Sequence, residues 1–243
     1  MKSNRPRLMP GRRVWGARPF SAFILYPSAF AVLVCLGIFP ARARADEFSQ
    51  VSHYTAALFP RGTLFIDTRI GDVKVEGWKE SRVEIEAEKV VRAGSEAKAQ
   101  RLFAQIRIEL KENGEEVFLR TIYPPRRPWR LFRGATKLSA NFRIRMPDQA
   151  GLTLKCVDGD VTIRGVGGRQ DVRVGYGNVE VTIPSVERLR RLSARAFLGY
   201  AQSDFEGENG AGFGRRVSFW NPEGEQEIRV RVRLGGVYVY HVR

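Results

Sequence analysis

Histidine and cysteine are nearly missing from this sequence, with two of each in 243 residues. His53 and His241 are far apart in the chain, and neither has a Cys or His at ligand spacing, which disfavours zinc. Cys156 is the one cysteine after residue 45, so that part of the chain has no internal disulfide. It shares an alternating face with Leu152 and Leu154, the setting of a buried, inert thiol. The glycine run GVGGRQ at 165–170 lacks both the lysine and the following helix of a phosphate loop, and no G-x-S-x-G elbow occurs. The sequence therefore predicts no metal, no cofactor and no catalytic residues.

Acid is missing over one long stretch. Residues 1–45 hold eight Lys and Arg and no Asp or Glu, with an apolar run, FSAFILYPSAFAVLVCLGIF, from Phe20 to Phe39. Ala41-Arg42-Ala43-Arg44-Ala45 follows and contains an A-x-A site ending at Ala45. Basic, apolar and small-residue segments in that order predict a secretory signal peptide over 1–45, and export to the periplasm or cell surface. The alternative is an inner-membrane anchor through 20–39, because about 20 apolar residues can just span a bilayer. Pro27 and the scattered Ser and Ala weaken such a span. Cys35 follows Val34, not the small residue that a lipid-anchor site needs. Residues 46–243 form the expected single domain; taking eight cations from the formal +15 leaves it +7, which favours anionic partners without naming one.

What remains is dominated by a repeated pattern. In LTLKCVDGDVTIRGVGGRQDVRVGYGNVEVTI (152–183), apolar residues alternate with polar ones on both sides of Asp158-Gly159-Asp160 and again around Tyr176-Gly177-Asn178. Period-two alternation broken by Gly and Asp or Asn predicts half-buried strands joined by tight turns. The unit also occurs at Ile70–Gly77, in worn form at 189–206, and near the C-terminus, where Gly236-Val237 stands for Gly-Asp-Val. Turns near Gly71, Gly159, Gly177, Gly199 and Gly236 make five copies, which stack to bury a continuous core. Ile228, Val230, Val232 and Leu234 are expected to face inward. Residues 46–61 read as a lead-in without strong period, and GENGAGFGRR (207–216) as a glycine-rich connection.

The interruptions are equally legible. Val83, Ile85 and Ala87 alternate with Glu84, Glu86 and Glu88, a buried face backed by a solvated acidic one. Ala99, Leu102, Phe103 and Ile106 recur at helical spacing behind Ser95, an expected N-cap. Ile106, Ile108 and Leu110, then Asn113-Gly114, then Val117 and Leu119 predict a hairpin. The fold class is all-β: a β-solenoid-like or two-layer stack of short repeated strands with one short helix-hairpin insertion. Periodicity leaves parallel coils and an antiparallel sandwich both open.

Gly62 to Trp78, Leu152 to Gly165 and Asp171 to Ile183, behind a signal segment, resemble the bacterial "putative adhesin" domain family of unknown function. The resemblance covers roughly residues 60–243 and implies an exported β-repeat protein. That family brings no catalytic residues, and this chain departs from its pattern in a basic loop and a worn fourth repeat.

That loop, Tyr123 to Arg133, is the candidate binding element. Arg126, Arg127, Arg130 and Arg133 suit phosphate, sulfate or carboxylate. Trp129 and Phe132 can stack on a sugar or enter a bilayer interface. Expected partners are anionic polysaccharide or lipid headgroups of the envelope, and not nucleic acid. The expected function is a non-catalytic envelope or surface binding scaffold of adhesin type. The alternative is a polysaccharide-processing enzyme on a β-solenoid, which requires facing carboxylates in a cleft. Asp72, Asp158 and Asp160 read as turn-forming residues before calcium ligands.

Overall fold

A computed structural model of the chain describes residues 46–124, 138–204 and 210–242. Each Gly-Asp/Asn unit joins two strands. Strands β2 (Thr63–Ile70) and β3 (Val73–Trp78) meet through Gly71-Asp72, and β8 (Gly151–Asp158) and β9 (Val161–Arg164) through Gly159-Asp160. In the same way β10 (Gln170–Tyr176) and β11 (Val179–Ile183) meet through Gly177-Asn178. Strands β2, β8 and β10 pair parallel and in register, as do β3, β9 and β11, so the repeats stack as coils. Parallel pairing decides between the two architectures that periodicity leaves open.

Stack order departs from chain order. Strand β14 (Gln226–His241) pairs with β10 through its first half and with β11 through its second, so one strand makes a whole coil. Strand β12 (Leu189–Ser203) lies parallel on the far side of β14, which places the C-terminal strand inside the stack. At the opposite end β6 (Glu116–Ile122) and β7 (Leu138–Pro147) pair parallel with β2 and β3. Antiparallel strands finish both ends: β4 (Arg82–Ala93) on β7, β1 (Asp46–Ala57) on β4, β5 (Arg107–Asn113) on β6, and β13 (Gly210–Trp220) on β12. The path β1-β4-β7-β3-β9-β11-β14-β10-β8-β2-β6-β5 runs along one wall and back along the other, and β1 meets β5. The result is a nearly closed, barrel-like sheet of twelve strands.

Alternation fills the space between the walls with columns of side chains. Ile66, Leu154, Val172, Val230 and Ala194 form one column, and Val73, Val161, Val179, Val237 and Ala201 another, all buried. In these two columns the side chain shrinks to alanine at β12, one reason that repeat reads as worn. Cys156 is buried in its column, as expected, and burial raises its thiol pKa to about 11. The short helix α1 (Glu96–Phe103) buries Ala99 and Phe103 against β4 and β1. Ser95 occupies the N-cap position without a side-chain cap bond.

Four expectations need correction. Residues 46–57 are strand β1, an edge strand whose weak pattern reflects two largely exposed faces. The connection at 207–216 belongs, from Gly210 onward, to strand β13; Gly212 sits opposite Gly199 in the ladder. The C-terminal corner is Gly235, not Gly236, because Gly235 pairs with Gly199 and stacks on Gly177. Leu234, just before that corner, lies in register with Tyr176 and is 46% exposed instead of inward.

The corner itself is a stack of glycines. Gly159 has φ +153° and Gly177 φ +130°, and a Cβ on Gly159 would lie 2.1 Å from the Gly71 carbonyl oxygen. No other residue allows backbones to approach this closely in this conformation.

Candidate functional site

The outer faces of the two walls carry different charge patterns. On the wall that includes β4, β7, β9 and β11, opposite charges are paired: Arg143 with Glu86 at 2.8 Å, Arg145 with Glu84 at 2.7 Å, and Arg164 with Glu180 at 3.2 Å. The acidic row of β4 faces outward as expected but is half-buried, with Glu84 and Glu86 bonded to the neighbouring strand. Arg82 and Arg145 further stand over the ring of Trp78, at 5.2 and 5.0 Å.

The other wall is unbalanced. The polar members of β8, β10, β14, β12 and β13 fall in register, so Lys155, Arg173, Arg231, Arg195 and Arg216 form one row across five adjacent strands. All five are exposed. The row begins beyond Asp67, which takes Arg120 at 3.3 Å. Among the described residues its one ion pair is Arg173 with Asp171, two residues earlier on the same strand, at 3.1 Å. A groove of about 240 Å3 opens beside the row, lined by Arg169, Arg191, Arg195, Arg229 and Arg231, with Asp171 and Glu227 as its acids. Like charges directly opposite one another in a sheet are destabilising. This wall holds them in line.

Strand spacing gives the row its period. Neighbouring strands lie about 4.8 Å apart, so the guanidinium stems leave the sheet at that interval. Arginine keeps its charge at any physiological pH and presents a planar fork of donors to carboxylate, sulfate or phosphate. The arrangement can bind several anionic groups at once. Among the described residues no group of three His, Cys, Asp or Glu is placed to hold a metal ion. Asp72 and Asp160 instead accept backbone N–H groups from the next coil, the structural role their turn positions suggest.

Arg126, Arg127, Trp129, Arg130, Phe132 and Arg133 lie outside the described residues, as does the 1–45 segment. The flanks of the loop are placed: Tyr123 donates its hydroxyl to the Ile70 carbonyl at 2.6 Å, and Ala140 lies against Gly71 at the corner. The sequence does not single out the arginine wall as a site, although alternation with Val172 and Val174 turns Arg173 outward. Its signal lies in RVG, IRVRVR and LSARAF, where the polar partner of each alternation is arginine. What sequence lacks is the alignment: Arg173 and Arg231 are 58 positions apart, and β14 inserts between β10 and β12.

No protein-family model matches the chain, and no curated protein does. Solved structures do show likeness. One, described as a "putative cell adhesion protein" from Clostridium sporogenes, is 11% identical with a TM-score of 0.47, over 79% of this chain and 100% of that one. A "putative adhesin" from Bacteroides fragilis is 10% identical with a TM-score of 0.25, over 79% and 97%. A "putative lipid binding protein" from Parabacteroides distasonis is 8% identical with a TM-score of 0.22, over 80% and 97%. Nothing about this chain's activity or ligand follows from likenesses at these identities and scores. Among the described residues no helix is long and apolar enough to cross a membrane.

Proposed function

We propose that this chain is an exported, non-catalytic β-repeat protein of the bacterial cell envelope that binds anionic ligands, polysaccharide or lipid headgroups, on its arginine wall. The observation that carries the binding reading is the row Lys155, Arg173, Arg231, Arg195 and Arg216, in register and exposed. A sheet that needs these positions only for solubility gains more from alternating signs, as its opposite wall has. Export rests on the ordered basic, apolar and Ala-x-Ala segments before Asp46. The adhesin-type motif resemblance is in keeping with both.

The test compares two variants for binding to dextran sulfate and to phosphatidylglycerol vesicles at low and raised salt. Arg195→Ser with Arg231→Ser is expected to weaken binding and flatten its salt dependence, since fewer counter-charges are exchanged. Changing Arg126, Arg127, Arg130 and Arg133 to Ser measures the loop's share. Unchanged binding in the wall variant would sink the reading.

The enzyme reading has one observation in its favour: Asp171 and Glu227 line the same groove. A glycosidase needs one carboxyl held protonated in apolar surroundings. This groove is built of arginines, and Asp171 is bonded to Arg173. Release of reducing ends by the purified protein, lost in Asp171→Asn and Glu227→Gln, would overturn the non-catalytic assignment.

A further inference from the structure

We infer that the ligand of the arginine wall is a linear acidic polysaccharide lying across the strands, along the stack, one sugar per coil. The inference rests on the reading of that wall as an anion-binding surface and goes on to name the ligand's geometry. Two parallel rows define it. The first is the cation row from Lys155 to Arg216. The second lies two residues earlier along each parallel strand and holds Thr153, Asp171, Arg229, Ser193 and, on β13, Ser218. The rows are about 7 Å apart, two residues of extended strand.

One row is cationic and the other is mostly hydroxyl and carboxyl. In an extended 1,4-linked uronic acid chain successive sugars turn over, so the edge that faces the cation row presents acids and hydroxyls in alternation. The acids on that edge meet alternate members of the row, Arg173 and Arg195 in one register, while Thr153, Ser193 and Asp171 exchange hydrogen bonds with the chain's hydroxyls. The period agrees as well. Strands repeat every ~4.8 Å, close to the rise of one pyranose in an extended chain, so acids on the facing edge meet every second coil and hydroxyls the coils between. Aromatic faces mark both sides of the array: Phe65 stacks on Phe118 at 4.7 Å beyond Thr153, and Trp220, opposite Arg191, is 68% exposed. Such faces pack on sugar rings.

A bilayer surface fits less well. It would press headgroup phosphates onto Asp171 and Glu227, which stand among the arginines. It also has no fixed period for the strand spacing to match. A single phosphate or sulfate would use two arginines and leave the rest of the row unexplained.

Calorimetric titration of the purified protein with oligogalacturonates of two to eight sugars tests this. Affinity is expected to rise about fivefold for every second added sugar, the worth of one exposed charge pair, and to level off near five sugars. Lys155→Ser, at the end of the row, should weaken binding of the five-sugar ligand and leave the two-sugar ligand unaffected. Arg231→Ser, at its centre, should weaken both. Affinity independent of length beyond two sugars overturns the register. So does inorganic sulfate that competes as well as the five-sugar ligand. Binding to phosphatidylglycerol vesicles without binding to any oligogalacturonate assigns the wall to a membrane. Binding to none of these probes removes the anion-binding reading itself.

Discussion

Asp72 and Asp160, 88 positions apart, are bonded across neighbouring coils: the Asp160 backbone N–H donates to Asp72 Oδ1 at 2.9 Å. The bond is one step of a ladder along the corner. Asn141 Oδ1 accepts from Asp72 N–H at 3.1 Å, Asp160 Oδ1 from Asn178 N–H at 2.7 Å, and Asn178 Oδ1 from Gly236 N–H at 2.9 Å. Gly236 has no side chain to pass the bond on, and the ladder ends there. The Asp or Asn of each repeat thus bonds the coil beside it more than its own turn.

Removing a rung should cost stability. Asp160→Ala leaves the Asn178 N–H without its acceptor, an expected loss of about 1 kcal/mol. Asp160→Asn keeps an oxygen there and should recover most of it. Chemical denaturation of the two variants checks the ordering; equal losses would mean that charge, not the acceptor, is what matters.

The glycine stack predicts a sharper contrast. Gly159→Ala places a Cβ at 2.1 Å from the Gly71 oxygen in a strained backbone, so the coils must separate and the fold should be lost or reduced by several kcal/mol. Gly94→Ala meets no atom within 4 Å and should change the melting temperature little.

Register predicts opposite outcomes for adjacent residues on β10. Val174 is 4% exposed, and Val174→Asp buries an unpaired charge at an expected cost of several kcal/mol. Arg173 points outward between Lys155 and Arg231, so Arg173→Asp loses the exposed ion pair with Asp171 but gains two cationic neighbours and should leave stability nearly unchanged. The same variant should bind dextran sulfate less well. Similar melting-temperature losses for both would contradict the register.

Alkaline pH should unfold the protein through two buried groups. Burial raises the Cys156 thiol to about 11 from 9.0 and the Tyr123 hydroxyl to about 12 from 10.0. Each is neutral in the fold and ionises first in the unfolded chain, so the unfolded state binds fewer protons over those windows. Stability is therefore full below pH 9 and falls from pH 9 to 12. Cys156→Ala should remove the part between 9 and 11, seen as a shallower decline in denaturant midpoint. Iodoacetamide should leave the native thiol unmodified at pH 8 and label it only after unfolding.

How much of this was legible in the sequence depends on the range of the interaction. Val161, Ile163, Val172, Val174, Val179 and Val181 are inward as alternation requires, because strand side chains change face at every residue. Gly71, Gly159 and Gly177 mark corners because few residues accept their backbone angles. Those are local constraints, so local sequence determined them. Gly235 was displaced by one position because Gly235-Gly236 offers two corners, and only its pairing with Gly199 selects one. Strand β13 was hidden by its glycines, and the cross-strand bonds to β12 make it a strand. The insertion of β14 between β10 and β12 left no trace in local pattern, since parallel pairing joins segments without a turn between them. Arg173, Arg195 and Arg231 can each be read as outward-facing from their own strand, whereas Arg216 lies on the strand that the glycines hid. Their alignment into a single row was decided by the tertiary structure, because it depends on the register of five strands brought together from residues 151 to 241.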